Sequence, residues 1–451
     1  MIRQHTASLA DAAAEPGGRR DLVRLGRRFV LMLGGEVLQS VFHFGLNIAL
    51  VHALVPHDYG LFAIVFLIGG IALTFVRAVA GMPASVFIPQ ARGARAMRAQ
   101  AVTFGSGAAL LSLAMGLGTA LVLAIPLGAA TAAAGGAFVG LWCLRSYLRN
   151  MLFACRRPGI AGISDATFAG TGTVLLACLL AGGRADLVLP GSLAVLAAAH
   201  GIAILAGLAA FREPVRISLG RHVLRRYRGL WRSLAWSVAG VATANIQAQG
   251  QTLLVALLAG PAAYAPIAAT LVLFSPLRLS ASVVVNLMQP EMAASLARGD
   301  GARLRHLMAL STGLLLAGCL GYGVFLAATL RLIESQLFAG RFAGEPLGLI
   351  ALLVWATVTA TMLYVGPKTL LETRGEFRAL ARVALASAAF GIGLVGLLLW
   401  LATPAWSLLG VVASELVVLL YCRRAILSAA ALPPVRSGDG PLHPATAPSW
   451  R

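Results

Sequence analysis

Long apolar stretches follow one another along the chain, separated by short polar breaks. A helix that crosses the hydrocarbon core of a bilayer needs ~20 predominantly apolar residues. Runs of that kind lie near 29–54, 60–88, 103–126, 128–147, 165–183, 187–210, 235–259, 263–288, 307–330, 347–366, 379–401 and 405–421. The pattern predicts an all-α polytopic membrane protein with about 12 transmembrane helices, with soluble parts confined to two tails and short loops. Composition agrees: 59% of residues are hydrophobic, 12% are charged and the mean hydropathy is +0.84, too apolar for a water-soluble chain of this length.

Charge changes the picture next. A formal net charge of +20 and a pI near 11.3 point to nucleic acid only when the charge lies on one accessible face. Here it follows the positive-inside rule instead, and no nucleic-acid partner is expected. With the N-terminus inside, 31 of the 36 basic residues fall in segments assigned to the cytoplasm. These segments are the tail before residue 29, Arg92 to Arg98, Arg145 to Arg157, Arg212 to Arg232, Arg298 to Arg305, Lys368 to Arg382, and the end after residue 421. Arg184, Arg331 and Arg341 fall outside, and Arg77 and Arg278 lie within spans. Both termini are therefore expected in the cytoplasm.

The longest basic segment between spans divides the chain. Its predicted organisation is a cytoplasmic tail (1–28), a first six-helix bundle (29–211), a basic amphipathic linker (212–232), a second six-helix bundle (233–422) and a C-terminal cytoplasmic tail (423–451). In the linker, Leu224, Tyr227, Trp231 and Leu234 are expected on one helical side, with Arg221, Arg225, Arg228 and Arg232 among them, the pattern of a helix lying among lipid headgroups. The halves also repeat. Pro56-His57-Asp58-Tyr59 matches Pro261-Ala262-Ala263-Tyr264, and with a shift of four residues Arg77 aligns with Arg278 and Pro89-Gln90 with Pro290-Glu291. Both halves start inside, so they share one orientation, a construction common among transporters.

Enzymatic signatures are missing. There is no Walker motif, no H-E-x-x-H, and the loops are too short to hold a catalytic domain. Arg27-Arg28-Phe29 loosely resembles a twin-arginine signal, but the following run is too long for a signal h-region. Five cysteines without a C-x-x-C pair indicate neither a disulfide framework nor a zinc site, and no cofactor is expected. Gly391-x-Gly393-x-x-Gly396 spells a dinucleotide fingerprint but lies inside an apolar span. Like Gly136-x-x-x-Gly140, it reads as close helix packing.

What remains is polarity inside the bilayer, which is costly and marks cavities, partners or snorkelling side chains. Arg77 and Arg278 either snorkel to the headgroups or face a common cavity, where their guanidiniums would suit an anionic diphosphate. Glu36, Gln39, Ser40, His43 and Asn47 form a stripe on the first helix, and Asn245, Gln249 and Thr252, with Gln247 and Gln251 beside them, form one on the seventh. These stripes either glue the bundle or line a water-filled cavity. Asp165 and Glu415 are read as interfacial, near cytoplasmic helix ends.

Several segments together resemble a known family. They are Leu54-Val55-Pro56-His57-Asp58-Tyr59-Gly60-Leu61-Phe62-Ala63, Gly260-Pro261-Ala262-Ala263-Tyr264, Gln289-Pro290-Glu291-Met292-Ala293 before Arg298-Gly299-Asp300, and Arg145 to Ala154 followed by Arg156-Arg157-Pro158. In order and spacing they are similar to the polysaccharide flippases of the multidrug/oligosaccharidyl-lipid/polysaccharide (MOP) superfamily. The resemblance implies two six-helix bundles in a V around a central cationic cavity. It also implies a non-enzymatic transporter that flips a polyprenyl-diphosphate-linked oligosaccharide by alternating access. Its partners would be the lipid-linked glycan, membrane lipids, and glycosyltransferases or a polysaccharide polymerase. The competing expectations are a cation-coupled multidrug exporter of the same fold, or a membrane scaffold or enzyme in glycan-lipid assembly.

The predicted topology is checked by fusions to alkaline phosphatase. Enzyme joined after Arg184 is expected to be active, and enzyme joined after Arg157 or Arg216 inactive.

Overall fold

The computed structural model describes residues 16–90, 94–155, 157–211, 217–218, 220–278, 280–281, 298–374 and 376–429, with isolated positions between 288 and 296. Among them the regular structure is entirely helical. Helix α1 (Pro16–Ala53) is followed by α2 (Pro56–Val76), which passes through a wide turn, Arg77–Gly81, into α3 (Met82–Gln90). After these come α4 (Ala94–Ala154), α5 (Pro158–Ala181) and α6 (Ala185–Phe211). The second half comprises α7 (Arg221–Asn245), a wide turn at Ile246–Gly250, and α8 (Gln251–Leu258). It continues with α9 (Gly260–Leu273), α10 (Gly301–Leu332), α11 (Leu347–Thr373), α12 (Phe377–Leu401) and α13 (Pro404–Ala429).

Among the described residues, eight helical stretches are long and apolar enough to cross a membrane. One of them, Arg95–Ala154, runs for 60 residues, about 90 Å of helix if it were straight. It is not straight. Gly128 adopts φ 74° and ψ 162°, a left-handed backbone that glycine reaches without a Cβ clash, and the chain reverses there. The two limbs pack through small residues: a Cβ on Gly136 would fall 2.5 Å from the Gly116 carbonyl oxygen, and one on Gly140 3.1 Å from that of Ser112. Gly391 likewise lies so close to Gln251 and Ser414 that a Cβ there would meet both within 2.8 Å. Gly136, Gly140 and Gly391 thus serve helix contact, whereas Gly393 and Gly396 face open space.

Three expected boundaries shift. Helix α1 begins at Pro16, inside the expected 1–28 tail, whose first 15 residues lie outside the described set. The linker is not a separate element: from Arg221 onward it is the first part of α7, which runs on into the second bundle, while 212–216 and 219 lie outside the described residues. The C-terminal tail is helical to Ala429, and 430–451 are not described. The repeat partner at 289–291 is also outside.

Helices α1 to α6 pack chiefly on one another, α10 to α13 likewise with α8, α7 leans on both sets, and the main seam between the halves joins α2 to α9. There the two equivalent turns of the repeat touch. Gly60 approaches Pro261 so closely that a Cβ on Gly60 would lie 1.9 Å from the Pro261 carbonyl oxygen. Around this contact, His52 Nε2 donates to the Leu337 carbonyl at 2.8 Å, and Arg341 donates to the His52 carbonyl at 2.7 Å. Tyr59 sits 6.5 Å from Phe342 between ring centroids. The segment carrying these partners is turned by Ala339, Gly340 and Gly344, all with positive φ. Tyr59 is itself held by donating to Asn47 Oδ1 at 3.0 Å.

A side chain at position 60 has no room in this arrangement. Gly60→Val is expected to destabilise the closed seam by about 2 kcal/mol, the usual cost of overpacking. The seam would then open, read as faster thiol labelling of a cysteine placed at Phe342.

Candidate functional site

Two polar assemblies are built inside the bundles, one in each half. In the first, α4 places Arg145 and Arg149 one turn apart, so both reach the same face. Asp165 of α5 receives both: Arg145 Nη2 donates to Oδ1 at 2.6 Å and Arg149 Nε to Oδ2 at 3.0 Å. Arg149 also reaches Glu36 on α1 at 2.5 Å. Gln39 bridges the pair, accepting from Arg145 at 3.1 Å and donating to Asp165 at 3.1 Å. The Arg145 guanidinium lies 4.3 Å from the centre of the Phe168 ring. Space for this comes from Gly35, where a Cβ would lie 2.2 Å from Asp165 Oδ2.

The side chains of Arg145 and Asp165 are only 3% and 2% exposed. This corrects two expectations: Arg145 and Arg149 are not loop charges, because α4 continues to Ala154, and Asp165 is not interfacial. Two carboxylates and two guanidiniums neutralise one another, which is how a charge survives away from water. Beside the cluster, His43 is boxed by rings of Phe42, Phe66, Trp142 and Phe168 at 5.2 to 6.0 Å. His200 stacks on Phe168 at 4.3 Å.

The second assembly faces a cavity of 530 Å³ between the halves. It begins one turn inward of the Gly60–Pro261 contact, at Ala63 and Tyr264, and its walls come from α1, α2, the α7–α8 bend, α9, α11 and α13. Glu415 of α13 lines it, accepting from Tyr364 at 2.7 Å and Thr361 at 3.1 Å on one oxygen and from Gln247 at 3.1 Å on the other. Arg278 and Lys368 supply cations to the same cavity. Glu415 is 5% exposed, so it too is a buried group rather than an interfacial one.

The sequence-derived candidates separate accordingly. Arg278, Asn47 and Gln249 line this cavity. Arg77 does not; it starts the wide turn of α2 with its side chain exposed. Glu36 and Gln39 belong to the first-bundle cluster, and His43 to its aromatic box. Asn245 donates to Thr74 of α2 at 2.6 Å, tying the halves together. Gln251 is fully buried, contacts Gly391 and donates to the Gln247 carbonyl at 3.3 Å. Lys368, Tyr264, Tyr364, Thr361 and Glu415 are cavity residues that reading the sequence passed over. Lys368, the chain's single lysine, was counted as a loop charge, yet it precedes the end of α11 by more than a turn. Its solitude was the one available signal. Among the described residues no group of His, Cys, Asp and Glu is arranged to hold a metal ion.

No known sequence family and no curated protein matches the chain. Solved structures do. An inward-facing multidrug resistance MATE family transporter of the MOP superfamily superposes with a TM-score of 0.66, at 13% identity, over 91% of this chain and 99% of that one. The chain has the MATE transporter fold. An outward-facing transporter of that family gives 0.56 at 14% identity, covering 91% and 96%. A MOP superfamily transporter from Pyrococcus furiosus, described as having a binding pocket of reverse polarity, gives 0.55 at 14% identity, covering 91% and 96%.

Removing one member of the first-bundle cluster strands the others. Arg145→Met is expected to cost about 3–5 kcal/mol and to lower the thermal midpoint of the detergent-purified protein. Arg145→Met with Asp165→Leu is expected to recover part of the loss.

Proposed function

We propose that the chain is a membrane transporter that flips a polyprenyl-diphosphate-linked oligosaccharide across a bacterial inner membrane by alternating access. The observation that carries this is the cavity between the halves, where Arg278 and Lys368, the latter 4.0 Å from Glu372, share the walls with Glu415 and with the hydrogen-bonding groups of Asn47, Gln249, Thr252 and Tyr264. A guanidinium and an ammonium suit a diphosphate. Amide and hydroxyl groups suit the sugars, and the apolar flank at Phe66, Leu67 and Leu271 suits the start of a polyprenyl chain.

The fold supports the transport part of the reading, since its neighbours include inward- and outward-facing transporters. The seam at Gly60 and Pro261 lies at the end that the positive-inside rule assigns to the periplasm. The contact at that end agrees with the higher similarity to the inward-facing neighbour. A cytoplasmic position for both termini follows from the same orientation. Arg77, exposed at its turn, remains a candidate contact for a diphosphate as the halves move.

One observation favours a cation-coupled multidrug exporter as the second reading: Glu415 is a carboxylate in the cavity wall whose hydrogen bonds come from an amide and two hydroxyls. Such a group can bind a cationic drug or a coupling ion.

The two readings separate in proteoliposomes. The flippase reading expects transfer of a fluorescent short-chain polyprenyl-diphosphate disaccharide and none of ethidium, with Arg278→Ala/Lys368→Ala lowering transfer at least about tenfold, given ~1.5–3 kcal/mol for a charged hydrogen bond. Ethidium transport abolished by Glu415→Gln, without lipid transfer, would replace it with the exporter.

A further inference from the structure

Helix α7 has a surface that transport through the cavity does not use. Along its first four turns, Arg221, Leu224, Arg225, Arg228, Trp231 and Trp236 fall on one side of the helix by their spacing of three, four, seven, ten and fifteen residues. The structure leaves that side bare: Leu224 is 72% exposed, Trp231 63% and Trp236 74%, and Arg221, Arg225 and Arg228 are exposed as well. None of these three arginines has a carboxylate within ion-pair distance among the described residues. The first sixteen residues of α7 contain no acidic side chain.

The opposite side is occupied. Val223 and Leu234 are buried at 6% each. Tyr227 sits over Gly107 of α4, where a Cβ would lie 2.0 Å from the tyrosine oxygen, and meets the Phe104 ring edge-on at 6.1 Å. Arg226, which points to this side, donates to the Ala99 carbonyl at 2.8 Å and to Thr103 at 3.0 Å. The start of α7 is therefore fixed on the first bundle while its far end enters the second. Its bare side combines unpaired guanidiniums with large apolar and indole groups, at the level where the chain enters its apolar span.

We propose that this face of α7 is a docking surface for acidic phospholipid headgroups, which press the helix onto the first bundle. The charge complementarity selects an anionic headgroup: three guanidiniums without counter-ions attract a phosphodiester that carries net charge, and attract a zwitterionic one far less. Trp231 and Leu224 insert beside the headgroups, where an indole is at home. Lipid held there bridges the helix that joins the two bundles, so the joint is tighter in an acidic membrane.

The test uses the full chain in nanodiscs of phosphatidylcholine doped with brominated phosphatidylglycerol or, in parallel, brominated phosphatidylcholine. Tryptophan fluorescence is compared between the native protein and Trp231→Phe, the difference reporting Trp231. Quenching at low dopant is expected to show about fivefold or greater enrichment of the acidic lipid. Arg221→Gln/Arg225→Gln/Arg228→Gln is expected to abolish that preference, and the corresponding lysine variant to keep it. Equal quenching by the two lipids in the native protein overturns the proposal, as does a preference that survives the glutamine variant or the absence of quenching by either lipid.

Discussion

Hydrocarbon offers no hydrogen bonds, so every charge carried into the membrane must find its partner within the protein or at a wet surface. That constraint orders this molecule. In the first bundle it is met by mutual neutralisation: Arg145, Arg149, Asp165 and Glu36 share contacts with Gln39 at their centre. In the second it is met by neutral donors around Glu415 and by the open space in front of Arg278 and Lys368. One half uses its charges to hold helices together, and the other brings Arg278, Lys368 and Glu415 to the wall of a cavity, where Lys368 lies 4.0 Å from Glu372.

This division sits on a repeated scaffold. Tyr59 and Tyr264 occupy matching places in matching turns, yet Tyr59 is tied to Asn47 while Tyr264 faces the cavity. Both halves bend their first or second helix through a wide turn, at Arg77–Gly81 and at Ile246–Gly250. In the second half that turn presents Gln247 to Glu415 and Gln249 to the cavity. Wide turns of this type leave the regular hydrogen-bond ladder and commonly coincide with functional positions.

The all-helical fold and the joining turns were legible because most spans are apolar runs of about the length that a bilayer requires, eight of them long and apolar enough among the described residues. The reversal at Gly128 was readable as a gap between runs, with Pro126 and Gly128 as its local turn signal. The site was less legible. Arg145 and Arg149 follow an apolar run and resemble any pair of anchoring arginines. What makes them internal is Asp165, twenty and sixteen residues later on another helix. Lys368 and Glu415 are 47 positions apart and reach one cavity only because α11 and α13 pack together. Periodicity along one helix could place Gln39 and His43 on a face, but not say which neighbour that face would meet.

At the seam, a glycine stands against a main-chain carbonyl. Helices usually lock by setting ridges of side chains into opposing grooves, and sliding such surfaces apart means lifting each ridge clear. Gly60 has no ridge to lift, and neither His52 nor Arg341 finds a side-chain acceptor there, since each donates to a main-chain carbonyl. Separation at Gly60 and Pro261 is a matter of mechanics with little friction: main chain parts from main chain there, and the resistance to opening falls on the buried rings of Tyr59 and Phe342 beside it.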